Sequence, residues 1–377
     1  MDFDWTPEQN EHYEGTLKFA RVALEGRRKE SPITREEWER CGEFGLLGLC
    51  VPTAYGGMGL DTLTTARVIE ALGRGCSDMG VVFAISAHLF ATVMPIVEFG
   101  TEELKEAVVP HLCSGRWIGC NAITEGNAGS DVFSLGTRAT REGDAYVLEG
   151  TKSYATNGPS ADVFVVYATT NPKHGYLGIT GFVVERETPG LRTGAPMPTM
   201  GLRAAPACAV MLDGARVPAH RRIGDEGRGG SVFQASMQWE RSCLFAAYIG
   251  MMERQLERSI AYASERRQFG RTLGSNQAIS HRVVDMKIRL EAARSALYRA
   301  CWLRDRGREA VVEVSIAKLM ISEAAKQSSL DTIQIHGASG FTTELGVEQT
   351  LRDAVPSTIF SGTSEMQRDI IARELGL

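Results

Sequence analysis

The sequence predicts an α+β protein in which a mostly antiparallel β domain lies between two helical domains. Three observations support this fold class. The chain of 377 residues exceeds the roughly 250–300 at which one hydrophobic core stops growing, so two or three domains are expected. Short β-branched and aromatic runs, separated by Gly, Pro and Asn, are confined to residues 118–225. The flanking segments show helical periodicity and capping motifs.

The first predicted domain, residues 1–117, is helical. Thr6 and Thr34 each open a capping box, with Gln or Glu three residues later. The last helix of the domain is predicted to end before Pro110, since proline removes a helical hydrogen bond. That last helix covers residues 102–109, and two earlier ones cover residues 61–73 and 77–100.

Residues 79–97 contain no charged side chain and approach the length of about 20 needed to cross a bilayer. Ser86, His88, Thr92 and Pro95 interrupt the stretch, and no basic cluster flanks it. A buried core helix is therefore favoured over a membrane span.

The second predicted domain, residues 118–225, contains the β-strand signals. Its runs are rich in β-branched and aromatic residues and are separated by Gly, Pro and Asn, as β-strands are. The predicted strand segments are 145–158, 161–170, 180–187 and 208–217.

The third predicted domain, residues 226–377, returns to helices. Ser231 is predicted to cap its first helix, and Ser364 with Gln367 forms a capping box at its last one. The predicted helices are 231–266, 277–306, 310–336 and a final one that ends at residue 375.

Glu240 is the candidate catalytic residue. It precedes the apolar run CLFAAYIGMM of residues 243–252 in the first helix of the third domain. A carboxylate in apolar surroundings has a raised pKa, which suits a general base. On this stretch alone, an exposed pair of Glu240 and Arg241 is the favoured interpretation. Helical spacing places on the Glu240 side the apolar residues Met237, Leu244, Ala247 and Met251.

Composition and motifs exclude several function classes. A net charge of −5 argues against general nucleic-acid binding. The eight cysteines show no CxxC or disulfide-like spacing, and no signal-peptide pattern occurs, so reduced thiols in the cytoplasm are expected. No HExxH, P-loop or GxSxG motif occurs, and no metal site is predicted. His88 and His336 are interpreted as core histidines.

Two loops of the β domain carry clusters of polar groups. ITEGNAGSD at residues 123–131 combines glycines, hydroxyls and carboxylates, and YATNG at 154–158 places an aromatic ring near a hydroxyl. Such groups can bind the polar edge of a flavin while the ring stacks on it. Ordinary turn chemistry explains each loop equally well.

Five motifs occur in order along the chain: ITEGNAGSD, KSYATNG, ERRQFGR, QIHGASGF and FSGTSEMQR. In this order and spacing they closely resemble the acyl-CoA dehydrogenase family of flavoproteins. The resemblance covers essentially the whole chain. It implies an N-terminal helical domain, a middle β domain and a C-terminal four-helix bundle. It also implies FAD as the cofactor and a homo-oligomer, a tetramer or a dimer, assembled through the bundle.

The resemblance also assigns cofactor-binding positions. Thr124 and Thr156 correspond to hydroxyl contacts with the flavin ring, and Tyr154 stands where the family usually has a stacking tryptophan. Ser130 matches a position near the pantetheine arm of the thioester. The positions matched to the pyrophosphate and adenine of FAD on a neighbouring subunit are Arg266, Phe269, Gln334 and Gly337, and two further cofactor positions are Thr363 and Glu365.

The catalytic base is assigned by a departure from the common pattern. Many members carry a glutamate just before Gly-Thr of the last motif, where this chain has Ser361, which is too weak a base. A minority branch, including isovaleryl-CoA dehydrogenases, places the glutamate on the first bundle helix, and MQWER aligns with it. The resemblance thus implies Glu240 as base, with support from Arg241 and from a main-chain N–H near Ser361. The opposing interpretation is a relative that has lost its base.

The resemblance implies α,β-dehydrogenation of a short acyl thioester. The ending SGTSEMQ, together with Glu240, is similar to dehydrogenases of natural-product pathways whose substrates are tethered to acyl or peptidyl carrier proteins. Reduced FAD would pass electrons to an electron-transfer flavoprotein or to oxygen. Two alternatives are a catabolic short- or branched-chain acyl-CoA dehydrogenase and a non-catalytic scaffold that binds flavin or acyl thioesters.

A basic rim around the acyl tunnel is expected if the partner is a carrier protein, because carrier proteins are acidic. CoA phosphates also bind arginine, so a rim by itself does not identify the partner. The candidate rim residues are Arg138, Arg141, Arg216, Arg221 and Arg222.

Overall fold

The structure is a computed structural model that describes residues 4–24, 26–27 and 31–377. Helices form both ends of the chain and a β-sheet lies between them, which confirms the predicted α+β class and the order of helical, β and helical regions. A large hydrophobic core runs through both helical regions and reaches one face of the sheet. A second core covers the other face.

The N-terminal helices begin where the capping motifs predict. Thr6 and Thr34 each accept a main-chain N–H with their hydroxyl, and both capping boxes are complete. Single π-turns follow α1 at Ala20–Leu24 and α4 at Leu89–Val93. The helices are α1 Pro7–Phe19, α2 Arg35–Glu43, α3 Thr62–Gly75, α4 Met79–His88, α5 Met94–Phe99 and α6 Glu102–Cys113.

The predicted helix end at Pro110 is wrong, because α6 continues through Pro110 to Cys113. An internal proline costs a helix about 3 kcal/mol. Leu112 and Cys113 are buried in the main core, and their packing offsets that cost.

The long apolar segment Met79–Phe99 is a core element. By length and composition it could cross a bilayer, but 83% of its apolar window is buried inside the protein. It forms α4, the π-turn and α5, which pack into the main core, as the interpretation of a core helix expects.

The sheet is mostly antiparallel, as predicted. Its strands run in the order β6-β7-β3-β2-β4-β5-β8, and β1 pairs in parallel with β4. All seven residues of β4 are buried, because one face meets the helical core and the other meets the second core. The strands are β1 Gly119–Ala122, β2 Arg138–Glu142, β3 Ala145–Thr156, β4 Val163–Thr169, β5 Ile179–Glu185, β6 Leu191–Thr193, β7 Ala207–Pro218 and β8 Arg222–Ile223.

The C-terminal region is built on α7 and α8, which a π-turn at Glu240–Leu244 joins. Gly73 of α3 and Gly250 of α8 let these two helices cross at close range, since a Cβ on either would lie about 2 Å from the opposing backbone. The elements are α7 Gly229–Trp239, α8 Ala246–Glu265, β9 Arg267–Gln268, β10 Arg271–Thr272, α9 Gln277–Asp305, α10 Val311–His336, α11 Ala338–Phe341, α12 Val347–Ala354 and α13 Ser364–Glu374.

Two predicted caps of this region are wrong. Helix α7 starts at Gly229, and the Ser231 hydroxyl instead pairs with the Tyr176 hydroxyl at 3.1 Å. Helix α13 is capped by Thr363, which accepts the Met366 N–H, so Ser364 is the first helical residue. At α13 two adjacent hydroxyl residues could serve as the cap, and the Ser364 hydroxyl bonds Glu323 instead. At α7 the N-cap position is Arg228, which makes no side-chain cap bond.

Candidate active site

Glu240 lies where the first C-terminal helix changes its hydrogen-bond pattern. Helix α7 ends at Trp239, and the π-turn begins at Glu240. Single π-turns inside helices occur frequently at functional sites. Glu240 is 8% exposed, and its Oε2 accepts a hydrogen bond from the Ser361 hydroxyl.

The Ser361 loop is strained and held by side chains. Ser361 has a φ of +53°, which non-glycine residues rarely adopt. Arg241 Nε donates to the Ser361 carbonyl at 2.9 Å, and Gln367 Nε2 donates to the Gly362 carbonyl at 3.0 Å. Such a conformation persists when surrounding contacts determine it, and it is typical of active sites. The structure thus brings Glu240, Arg241 and Ser361 into one network.

Burial sets the protonation of this network. It raises the pKa of Glu240 to about 7, although the Ser361 hydrogen bond and the charge of Arg241 act in the opposite direction. Burial also lowers the pKa of Arg241 to about 10, against the effect of the Glu240 charge. A carboxyl group that titrates near neutral pH can act as a general base there.

Three aromatic rings pack together next to the network of Glu240, Arg241 and Ser361. The ring of Phe360, the residue before Ser361, lies 4.6 Å from that of Phe83 and 5.5 Å from that of Phe245. These apolar surroundings explain why Glu240 is desolvated. Also buried, as predicted, are Met237, Leu244, Ala247 and Met251.

The two loops predicted to contact the flavin ring lie side by side. The Ser153 N–H of β3 donates to the Thr124 carbonyl at 2.8 Å. The register of β3 against β7 is irregular around Tyr154, which has a φ of +59° and is 65% exposed. Thr124, Tyr154 and Thr156 therefore lie on neighbouring segments, with the aromatic ring turned outward by the irregularity.

A buried ion pair joins these two loops. Lys152 Nζ donates to Glu125 Oε1 at 2.7 Å and to the Ile123 carbonyl at 3.0 Å. Glu125 also accepts the N–H groups of Gly136 at 2.7 Å and Thr137 at 3.0 Å. This pair was not predicted from the sequence, and it joins the loops predicted to hold the flavin.

A signal for the pair exists in the sequence. Lys152 is an even number of residues from Tyr146 and Leu148 on β3, and alternate residues of a strand share a face. Tyr146 and Leu148 are buried. A lysine at a core position of a strand requires a buried acidic partner.

The donor set of these loops fits a flavin. In the part of the chain that the structure describes, the hydroxyls of Thr124 and Thr156 make no hydrogen bond to protein, so both can bind a ligand. Tyr154 offers an exposed ring face for stacking. The roles of these three residues in FAD binding remain predictions that the site chemistry supports.

A second group of predicted cofactor residues lies at one end of the bundle. Tyr262 of α8 stacks on His336 of α10, with ring centroids 4.2 Å apart. Tyr262 lies one turn before Arg266 and the β9–β10 hairpin, and His336 immediately precedes Gly337, so the contact joins the two segments that carry these positions. At the hairpin tip, Phe269 is 95% exposed and has a φ of +51°. An exposed ring beside an arginine is suited to contact a group bound on another subunit.

The remaining residues predicted to bind the cofactor or substrate are exposed or cap a helix. Gln334 is exposed on the last turn of α10, and Glu365 is exposed in the first turn of α13, which Thr363 caps. Ser130 is exposed in the loop after β1.

The predicted basic rim is largely neutralised. Four of the five candidate arginines lie in surface ion pairs with acidic residues of the same chain. Each pair offsets part of the positive charge that the sequence alone assigns to these arginines. The pairs are Arg141 with Glu226 at 3.9 Å, Arg216 with Glu142 at 3.1 Å, Arg221 with Glu185 at 2.6 Å and Arg222 with Asp225 at 4.0 Å.

Cysteines and histidines do not form a second centre. All eight cysteines are buried and free, and burial raises the pKa of Cys41 to about 12. His88 and His336 are buried, and His88 Nδ1 accepts the Gly119 N–H at 2.8 Å. Among the described residues, no group of three or more His, Cys, Asp or Glu side chains could hold a metal ion.

The chain belongs to the acyl-CoA dehydrogenase family. It matches the family's N-terminal domain over residues 6–116, its middle domain over 120–215 and its C-terminal domain over 227–376. This membership confirms the predicted family, fold and enzyme class. The chain is an FAD-dependent oxidoreductase that acts on CH–CH donors.

Several similar proteins are named for prolyl groups on carrier proteins. The L-prolyl-[peptidyl-carrier protein] dehydrogenase of Pseudomonas fluorescens is 51% identical over 383 residues and covers 100% of both chains. The crystal structure of the prolyl acyl carrier protein oxidase AnaB is 45% identical, has a TM-score of 0.97 and covers 99% of this chain and 100% of its own. The structure of PigA with FAD and proline is 42% identical, has a TM-score of 0.98 and covers 100% of both chains.

Proposed function

We propose that this enzyme oxidises an L-prolyl group held as a thioester on a carrier protein, by α,β-dehydrogenation with Glu240 as the base. End-to-end similarity to proteins named for carrier-bound prolyl groups supports the substrate class. The observation that carries the mechanism is the buried Glu240 carboxyl group, which bonds Ser361 and has its pKa raised to about 7.

Glu240 takes the α-proton, which the adjacent thioester carbonyl acidifies. Its Oε2 accepts the Ser361 hydrogen bond, so Oε1 is the oxygen available for the proton. Proton uptake neutralises a buried charge, and the apolar surroundings therefore favour the transfer. FAD, when bound, accepts the hydride that leaves the β-carbon. Main-chain N–H groups near Ser361 are the candidate donors to the thioester carbonyl.

The flavin ring would be held by Thr124 and Thr156, with Tyr154 stacked against it. Arg266 and Phe269 would contact the FAD of a neighbouring subunit in a homo-oligomer, so that cofactor binding and assembly are linked. Arg266→Ala should then lower FAD occupancy and weaken the oligomer in sedimentation. Arg192→Ala, an exposed arginine of the β domain, is the matched control. A fully FAD-loaded monomer would refute this linkage.

The electron acceptor is either oxygen or an electron-transfer flavoprotein. A solved relative is named as an oxidase, which supports oxygen. Turnover in air with one hydrogen peroxide formed per oxidation would identify oxygen, and turnover that requires the flavoprotein would identify the other acceptor. The eight free buried thiols suit a cytoplasmic location.

A catabolic acyl-CoA dehydrogenase is the second candidate. Similarity to proteins named for CoA thioesters supports it, since the short-chain specific acyl-CoA dehydrogenase of Homo sapiens is 36% identical over 347 residues, which cover 92% of this chain and 84% of its own. The test compares one acyl group on a carrier protein and on CoA, by anaerobic bleaching of the flavin. The proposal expects much faster bleaching with the carrier protein. Equal efficiency would favour CoA, and no bleaching by any thioester would favour a non-catalytic scaffold.

A further inference from the structure

Two hydroxyl groups near Glu240 are buried without a hydrogen-bond partner. Tyr167 is 0% exposed and Ser236 is 1% exposed, and neither side-chain oxygen bonds any residue of the described chain. Buried polar groups are nearly always paired, because an unpaired one lowers stability. Both hydroxyls are therefore available to bind a ligand that reaches this region.

Tyr167 lies on the side of the sheet that faces the active site. In the parallel pairing of β1 with β4, Ala122 is opposite Val166, so Tyr167 stands beside the chain as it leads into the Thr124 loop. Its side chain belongs to the helical core, and its ring packs edge-on against Phe233 of α7 at 5.9 Å. Tyr167 therefore lies between the loop predicted to hold the flavin and the helix that leads to Glu240.

Ser236 lies one helical turn before Glu240. Residues four apart share a helix face, so its hydroxyl lies on the side that carries the base. Burial raises the pKa of Tyr167, and the charge of the Glu240 carboxylate raises it further. The phenol is thus within electrostatic reach of the base, and Ser236 lies on the helix that ends at the base.

We infer that Tyr167 and Ser236 bind the ring nitrogen of the prolyl group and select it over a carbocyclic acyl group. The inference rests on the proposed function and names the residues that recognise the prolyl substrate. The nitrogen is the polar atom of an otherwise hydrocarbon ring, so burial beside apolar side chains requires a partner. Hydroxyl groups can donate to an amine or accept from it. A site that hydrogen-bonds a substrate N–H rejects the analogue that lacks it.

The test compares two thioesters on the same carrier protein, L-prolyl and cyclopentanecarbonyl, with the FAD-loaded enzyme. We expect the wild type to oxidise the prolyl group with the higher kcat/KM. Tyr167→Phe keeps the ring that packs on Phe233 but removes the hydroxyl. It should lower kcat/KM for the prolyl substrate about 10- to 100-fold and leave that for the carbocycle within about threefold. Ser236→Ala should act in the same direction.

Tyr146→Phe is the matched control. Tyr146 is also buried on the sheet, but it belongs to the opposite core, and its hydroxyl bonds Glu226 at 2.5 Å. This variant should lower the Tm without changing the preference between the two thioesters. Tyr167→Phe should change the preference without lowering the Tm, because it removes an unpaired group.

Two outcomes would overturn the inference. One is an unchanged preference in both Tyr167→Phe and Ser236→Ala, and the other is an equal loss on both thioesters. Failure of the wild type to oxidise the prolyl thioester, with good activity on acyl-CoA, would instead overturn the proposed function.

Discussion

Two buried carboxyl groups beside cationic residues, Glu125 and Glu240, behave in opposite ways. Glu125 accepts an ammonium and two main-chain N–H groups, and these bonds outweigh burial and hold its pKa below the usual value. Glu240 accepts one hydroxyl, and burial dominates and raises its pKa to about 7. The number of donors, rather than burial alone, separates a structural carboxylate from a base.

The contrast extends to the cations. Lys152 bonds Glu125 directly, whereas Arg241 Nε is bonded to the Ser361 carbonyl and affects Glu240 through its charge. A carboxylate that is fully hydrogen-bonded to a cation cannot readily take a proton. Glu240 retains an oxygen that can.

Loss of Glu240 should have the largest effect on activity. Glu240→Gln should bind FAD and lower kcat by about 10²–10⁴-fold, since it removes the general base. Glu125→Gln is the matched control, which should keep most of the turnover when saturated with FAD. Steady-state rates at saturating FAD provide the measurement. Near-normal turnover by Glu240→Gln would show that another group is the base.

Breaking the Glu125–Lys152 pair should have the largest effect on stability. Glu125→Gln leaves a buried lysine without its partner and should lower the free energy of unfolding by about 3–5 kcal/mol. The double variant with Lys152→Met should recover much of that loss, because it removes the unpaired charge. Denaturant unfolding of Glu125→Gln, Lys152→Met and the double variant tests this. Additive losses in the double variant would argue against a coupled pair.

The stability of the two carboxyl sites should respond to pH with opposite signs. The folded pKa of Glu240 is raised from 4.5 to about 7, so its contribution is present at low pH and is lost as pH rises through this range. Replacing it by Gln should therefore stabilise the protein at pH 8 by up to about 3 kcal/mol relative to its effect at pH 4. Glu125, with a lowered pKa, contributes stability that is lost as pH falls below its usual value. Parallel pH trends in Glu240→Gln and Glu125→Gln would contradict the comparison.

Of the four predictions in this comparison, Ser361→Ala should give the smallest change. The Ser361 hydroxyl bond lowers the pKa of Glu240, so its removal should shift the pH profile of activity upward by about one unit and slow turnover at pH 7 up to tenfold. Ser361→Gly is the control for strain, because glycine tolerates the φ of +53°. It should show the same pH shift with higher stability. A profile that moves downward would contradict the assigned hydrogen bond.

Local signals made the domain order and the helix starts predictable. The capping boxes at Thr6 and Thr34 depend on four adjacent residues, and the strand runs depend on β-branched and aromatic residues within short segments. Where adjacent residues compete for one cap, as Thr363 and Ser364 do, tertiary contacts decide, and the sequence prediction failed.

Only the parts of the site that have a local sequence signal were predicted. Glu240 and Ser361 came from motifs, but their contact joins residues 121 positions apart. The π-turn at Glu240, the Lys152–Glu125 pair and the unpaired hydroxyl of Tyr167 depend on how helix, loop and sheet pack together, and one sequence carries little local signal for them.

The most direct test of Glu240 as a base tuned by burial is the pH dependence of flavin reduction in a single anaerobic turnover with a prolyl thioester on a carrier protein. The account predicts a rate that rises tenfold per pH unit below about 7 and then levels, with no such inflection in Glu240→Gln. A wild-type rate that is independent of pH, or that levels near the ordinary pKa of 4.5, would contradict it.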